Sequence, residues 1–124
     1  MILVDTTVWV DHLWGGDAGL VDLLERSGVL MHPFVVGELA CGNLRGRESI
    51  LELLQGLPAA VVASPEEVLT FIGRHRLHGK GIGHVDAHLL ASVALTPGAR
   101  LWTRDARLRR MAGSLGCVHS ESAH

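Results

Sequence analysis

The 124-residue sequence has no tyrosine, two phenylalanines, three tryptophans and two cysteines. With aromatics at 4%, leucine, valine and alanine must fill the core. Cys41 and Cys117 match no zinc-ligand spacing, and a disulfide is not expected in a reducing compartment. Both read as buried free thiols. No apolar run approaches the roughly 20 residues a helix needs to cross a bilayer. The amino terminus opens on a strand-like run, without the basic region, apolar stretch and cleavage site of a secretory signal. A cytoplasmic protein with no membrane contact is expected. Strong charge of one sign is missing too: a net charge of −2 excludes a general polycation. Any nucleic-acid site would rest on a local basic patch, or on metal ions that offset local acid.

What remains is an ordinary globular composition, 48% hydrophobic and 19% charged, of a size that suits a single domain over 1–124. Ile2, Leu3 and Val4 form an apolar strand without polar alternation, the habit of a central strand buried on both faces of a parallel sheet. Further strands are expected at 29–32, 60–63 and 100–103, with 117–118 as an edge strand. Helices are expected at 6–13, from the Asp17 cap to Gly28, and at 33–44, 48–54, 65–78, 84–95 and 105–114. The tail 119–124 reads as frayed. Strands alternating with one or two helices predict an α/β fold with a parallel sheet.

Four carboxylates stand where core-building would not put them. Asp5 ends the first strand, and Glu38 sits in the apolar run Phe34-Val35-Val36-Gly37-Glu38-Leu39-Ala40. Asp86 opens a helix, and Asp105 follows the strand Leu101-Trp102-Thr103 by one step. Each has an ordinary use: Asp5 and Asp105 as helix N-caps, Asp86 as a first-turn acid, Glu38 as a solvent-facing residue. As a set they differ. Asp5 and Asp105 share the carboxyl edge of a parallel sheet, where such folds bind ligands. Four like charges in one cleft repel unless a cation joins them. Oxygen-only ligands suit Mg²⁺ or Mn²⁺, which can activate water and neutralise charge on a phosphoryl group. Thr6, Thr7 and Thr103 offer hydroxyls beside the acids, with structural roles in turns equally open.

Val4-Asp5-Thr6-Thr7-Val8-Trp9-Val10-Asp11, the isolated Glu38, Gly83-His84-Val85-Asp86-Ala87-His88-Leu89-Leu90-Ala91 and Leu101-Trp102-Thr103-Arg104-Asp105 together resemble the PIN-domain family. Within it they are most similar to VapC-type toxins of bacterial toxin–antitoxin pairs. The likeness is collinear and spans 2–108. It implies a PIN-like three-layer α/β/α fold around a mostly parallel sheet of four or five strands. It also implies a Mg²⁺-dependent endoribonuclease that forms a homodimer and is held inactive by a cognate antitoxin. The family's acidic quartet falls on Asp5, Glu38, Asp86 and Asp105, with Thr103 as the adjacent hydroxyl. Asp5 and Asp86 are the firmest ligands to one or two Mg²⁺ ions, while Glu38 and Asp105 act directly or through water.

Two rivals stay open. In a phosphotransferase or phosphatase, Asp5 would be the nucleophile, but a second acid two residues on and a well-placed lysine are missing. A non-catalytic binding module would use the same fold only to dock a protein. His84 and His88, four apart, read as helix-packing residues because no third ligand is evident. Arg104, Arg107, Arg109 and Arg110, with Arg74, Arg76 and Lys80, are either solvated faces or a basic rim for RNA. Gly79 to Gly83 reads as a bend, Trp9 and Trp14 as core or dimer-surface residues, and Asp11 as a surface residue.

Overall fold

Three apolar residues at the amino terminus form β1 (Ile2–Val4), which lies between two parallel neighbours, β2 (Val29–Leu30) and β3 (Arg100–Trp102). The computed structural model describes residues 1–121; 122–124 of the tail expected to fray lie outside the described residues. Leu3 stands opposite Leu30 on one side and Leu101 on the other. Burial on both faces explains why β1 lacks polar alternation: Leu3, Val4 and Leu101 are fully buried.

Seven helices connect and cover the strands among the described residues: α1 (Thr6–Gly15), α2 (Ala18–Glu25), α3 (Pro33–Ala40), α4 (Arg47–Gln55), α5 (Pro65–Arg74), α6 (His84–Leu95) and α7 (Ala106–Ser114). No strand forms at 60–63, where only the preceding Ala59 makes a single parallel bridge, with Met31, and 117–118 contributes one bridge, Leu101 with Val118. The regular sheet therefore has three strands, not four or five. Beyond Ala60 the ladder stops because the Val61 N–H donates instead to Thr96 Oγ1, at 3.0 Å.

The chain steps from β1 to β2 and on to Ala59 in one direction. It then crosses back to β3 and continues to Val118 in the other. Parallel crossovers are right-handed, so the helices of the two halves cover opposite faces. Their contacts agree: α1 packs on α3 and α3 on α4, while α5 packs on α6, and α6 and α7 pack on β3. The direction reverses between β1 and β3. That is the switch point at which α/β proteins bind ligands, outside the carboxyl ends of the strands.

α6 is buried from Ala87 to Val93 and anchors the core with Leu89 and Leu90; Ala87 and Ala91 also meet Ala63 and Val68 in a smaller cluster against α5. Losing one such leucine to alanine costs about 2–5 kcal/mol. His32 caps α3 through Nδ1, which accepts from the Phe34 N–H at 3.0 Å. It is fully buried, and burial, with His88 beside it, pushes its pKa down to about 4.

Several expectations need correction. α3 stops at Ala40, not near 44, where Arg47 Nη1 donates to the Ala40 carbonyl at 2.6 Å. α5 stops at Arg74, not near 78, because Arg76 turns left-handed (φ 53°) and Leu77 N–H returns to the Ile72 carbonyl. Cys41 is exposed at the end of α3 and Cys117 is half-buried, so neither is the buried thiol expected. Residues 119–121 are tied down, since His119 N–H donates to the Leu101 carbonyl at 2.8 Å and Glu121 accepts from Trp102 Nε1 at 2.8 Å. Trp9 is in the core, whereas Trp14 is 80% exposed in this chain.

Candidate active site at the sheet switch point

Asp5 leaves β1 at the switch point and occupies the N-cap position of α1, yet its side chain makes no cap bond. Its Oδ2 instead accepts from Thr7 Oγ1 and Thr103 Oγ1, each at 2.8 Å. Each hydroxyl has one proton. With both protons given to Asp5, the oxygens are left as acceptors, and each takes a backbone N–H: Thr7 Oγ1 that of Arg104 at 3.0 Å, Thr103 Oγ1 that of Asp105 at 3.1 Å. The 3.4 Å approach of the two hydroxyl oxygens is thus a contact and not a hydrogen bond. This closed set pins a carboxylate that is only 5% exposed and stitches the end of β1 to the end of β3.

Asp105 does serve as a helix cap. Its Oδ1 accepts from the N–H groups of Arg107 and Leu108 at 3.0 Å, leaving Oδ2 without a partner among the described residues. Asp86 lies in the first turn of α6, and its Oδ2 accepts from the Gly83 N–H at 3.3 Å. Glu38, on α3, accepts from Thr6 Oγ1 at 2.9 Å.

All four acids line one cavity of about 490 Å³, together with Thr6, Thr7, Val10, Asp11 and Arg104. Thr103 is buried beneath it. The acids share a field as well as a space. Burial raises the Asp86 pKa; the Gly83 N–H opposes that, and the charges of Asp5, Asp105 and Glu38 raise it further.

Among the described residues, no three acidic, histidine or cysteine side chains converge as an immediate ion cage, because neutral donors hold each acid. The donor chemistry still fits a hard divalent ion. Every anionic ligand is a carboxylate, and Mg²⁺ usually takes one or two of these directly and reaches others through its own waters. His84 and His88 stack edge to face at 4.5 Å, with Phe34 4.7 Å from His88, as helix-packing residues.

Two further residues join the cavity wall. Asp11 is the exposed helix residue expected, and it shares one face of α1 with Thr7 and Val10, so it also lines the cavity. Arg104 is held by three carboxylates from distant segments: Asp11 at 2.6 Å, Glu121 at 2.7 Å, and Asp17, the N-cap of α2. Local spacing carries no trace of that grouping. Of the rim cations, Arg107 lies across the glycine bend. Gly81 is left-handed (φ 80°), a conformation that favours glycine, and a Cβ there would stand 2.8 Å from Arg107 Cδ and push that side chain aside.

Comparison with known sequences gives two concordant results. The PIN domain family matches residues 2–114. Ribonuclease VapC32 of Mycobacterium tuberculosis, from strains CDC 1551 / Oshkosh and ATCC 25618 / H37Rv, is 50% identical over 121 residues, covering 98% of each chain.

Proposed function

The chain belongs to the PIN-domain family, within its VapC type, and from that membership we propose a Mg²⁺-dependent endoribonuclease acting as the toxin of a toxin–antitoxin pair. The observation that carries the reading is Asp5. At the switch point it forgoes the cap role its position offers and is pinned by two hydroxyls at the wall of a four-acid cavity.

Asp5 and Asp86 would hold the ion directly, and Glu38 and Asp105 would join directly or through water; Mn²⁺ would fit the same oxygen donors. When bound, Mg²⁺ supplies the positive charge that offsets the acids and the phosphodiester, and it makes water a stronger nucleophile. The chain's own residues prepare the site. Thr7 and Thr103 fix the Asp5 rotamer, the Gly83 N–H orients Asp86, and Thr6 orients Glu38. The pKa of Asp86, raised by burial and then by its acidic neighbours, marks how these acids repel one another until a cation joins them. Arg107, Arg109 and Arg110, exposed on α7, supply a basic rim for the RNA backbone. The full partnership is an RNA substrate, a cognate antitoxin and a second copy of the chain.

No lysine lines the acid cavity, which disfavours a phosphotransferase with Asp5 as nucleophile. The test is direct. Protein purified free of antitoxin cleaves RNA with Mg²⁺ and stops in EDTA. Asp5→Asn and Asp86→Asn each lose about 100-fold or more in rate. Full activity in either variant would end the assignment. A non-catalytic module would show neither cleavage nor a Mg²⁺-dependent rise in Tm.

A further inference from the structure

A second cavity, of about 420 Å³, adjoins the acid cleft, and Arg104 lines both. Its walls come from the end of β3 (Trp102, Arg104), the start of α2 (Asp17) and the chain's last turn (His119, Glu121), with Arg26 at α2's far end. We propose that this cavity is a guanine-binding subsite, which seats the base of a nucleotide beside the scissile phosphate. The inference rests on the ribonuclease reading of the acid cleft.

The walls are built of planes. The Arg104 guanidinium lies over the Trp102 ring at 5.6 Å, and the His119 ring stands 5.2 Å from Trp102, tilted by 58°. Trp102 itself is buried beneath them, so the planes open to a base are the Arg104 guanidinium and the His119 ring, surfaces of the kind that hold unstacked RNA bases. The hydrogen-bonding groups then select the base. Glu121 Oε1 already accepts from Trp102 Nε1 and Arg104 Nε, while its other oxygen accepts nothing among the described residues. That remaining oxygen has two lone-pair sites, which suit a ligand edge with two adjacent N–H donors. Guanine has that edge, at N1 and N2. Adenine and cytosine set a ring-nitrogen lone pair beside their single amino group, and uracil flanks one N–H with two carbonyls; both arrangements repel a carboxylate. Guanine O6 and N7 would meet donors from Arg26, which pairs with Asp22 through Nη2; arginine is the cationic partner guanine takes elsewhere in nucleic-acid recognition.

Position completes the case. Because Arg104 forms the wall between the cavities, a phosphate at the acids and a base at Glu121 belong to neighbouring parts of one strand. The acid cleft alone can act on any phosphodiester, since a phosphate carries no sequence information. The second cavity supplies a preference.

The experiment titrates guanosine 5′-monophosphate into ¹⁵N-labelled protein in EDTA and follows the Trp102 indole N–H. A saturable displacement is expected, with affinity at least about fivefold better than for the adenosine, cytidine and uridine monophosphates, and about tenfold weaker in Glu121→Gln. Glu121 is exposed and glutamine keeps its shape, so that variant should fold. No displacement, equal response to all four nucleotides, or unchanged affinity in Glu121→Gln overturns the proposal. Cleavage mapping separates it from the reading beneath. RNA cut with no guanine preference removes the subsite and leaves the ribonuclease. Guanosine monophosphate bound by a protein that cuts no RNA with Mg²⁺ removes the ribonuclease, and with it the role proposed for the cavity.

Discussion

Two acid-rich regions share the carboxyl edge of the sheet, and they handle negative charge in opposite ways. Around Arg104, the carboxylates Asp11, Asp17 and Glu121 share one guanidinium, and hydrogen bonds to it hold the Asp17 and Glu121 pKa values below the usual range. In the cleft next door, neutral hydroxyls and backbone N–H groups hold Asp5, Glu38, Asp86 and Asp105, and Asp86 is pushed up by burial and by its acidic neighbours. The first region carries its own cation, bonded to all three of its acids. The second keeps an uncompensated charge that only something added from outside can relieve. A cluster of acids alone therefore says little; what distinguishes a reactive cluster is that its own fold withholds the counter-charge.

The largest expected effect sharpens that contrast. Asp5→Asn should abolish cleavage by about 100-fold or more and also remove Mg²⁺-dependent thermal stabilisation, whereas Asp11→Asn should leave Mg²⁺ stabilisation in place. Calorimetry with and without EDTA separates the two. Next, Arg104→Leu should destabilise the fold by about 1–3 kcal/mol, read from urea unfolding, by leaving three carboxylates without their cation. The side chain is 26% exposed, which places the value toward the lower end.

The pH dependence carries the opposite signs of the two regions. Asp17 and Glu121 titrate lower in the folded state, so they contribute stability above their ordinary pKa values of 3.8 and 4.5 and lose it as pH falls through the lowered ones. Arg104→Leu should flatten that acid-side slope. His32 lies in neither region; because it stays neutral down to about pH 4, it weakens the fold as pH drops from 6.5. The slopes are therefore compared between variants at equal pH.

Thr103→Val should cost about 1–2 kcal/mol, since it strips a donor from buried Asp5 and an acceptor from the Asp105 N–H, while Thr103→Ser should recover most of the loss. The smallest effect has the opposite sign. Asp86→Asn, inactive in the cleavage assay, should be more stable than the parent in EDTA at pH 7, by a few tenths to about 1 kcal/mol. Its raised pKa makes the charged form a cost above that pKa, and the gain should vanish as pH falls below 3.8. A neutral or destabilised variant would remove the claim of uncompensated charge.

The sequence was most legible where local pattern and tertiary role coincide. The apolar β1 run marked a central strand, and α6 has the expected bounds, 84–95, because the glycine bend before it and Pro97-Gly98 after it punctuate the chain. The four acids could be singled out because each interrupts or ends an apolar run. Legibility failed where the deciding partner is remote. Nothing near Ala60 announces that Thr96 will take the Val61 N–H and end the ladder. Nothing near the tail announces that Arg104 and Trp102 will bind Glu121. Cys41 was assigned to the interior on the habits of cysteine, but the end of α3 lies at the surface. Asp11 is the exposed helix residue its sequence context suggests, and its place in the cavity wall follows from the helix face it shares with Thr7.

The bond between Thr103 and Asp5 joins residues 98 apart in the chain. Asp5 is synthesised well before Thr103, Arg104 and Asp105. A partly synthesised chain holds the first acid without the hydroxyl, backbone amide and fourth acid that complete its surroundings. On the proposed reading, a protein that destroys RNA is put together by an RNA machine, and the order of translation acts as a delay. The cutting edge closes only once the chain through Asp105 is free to fold.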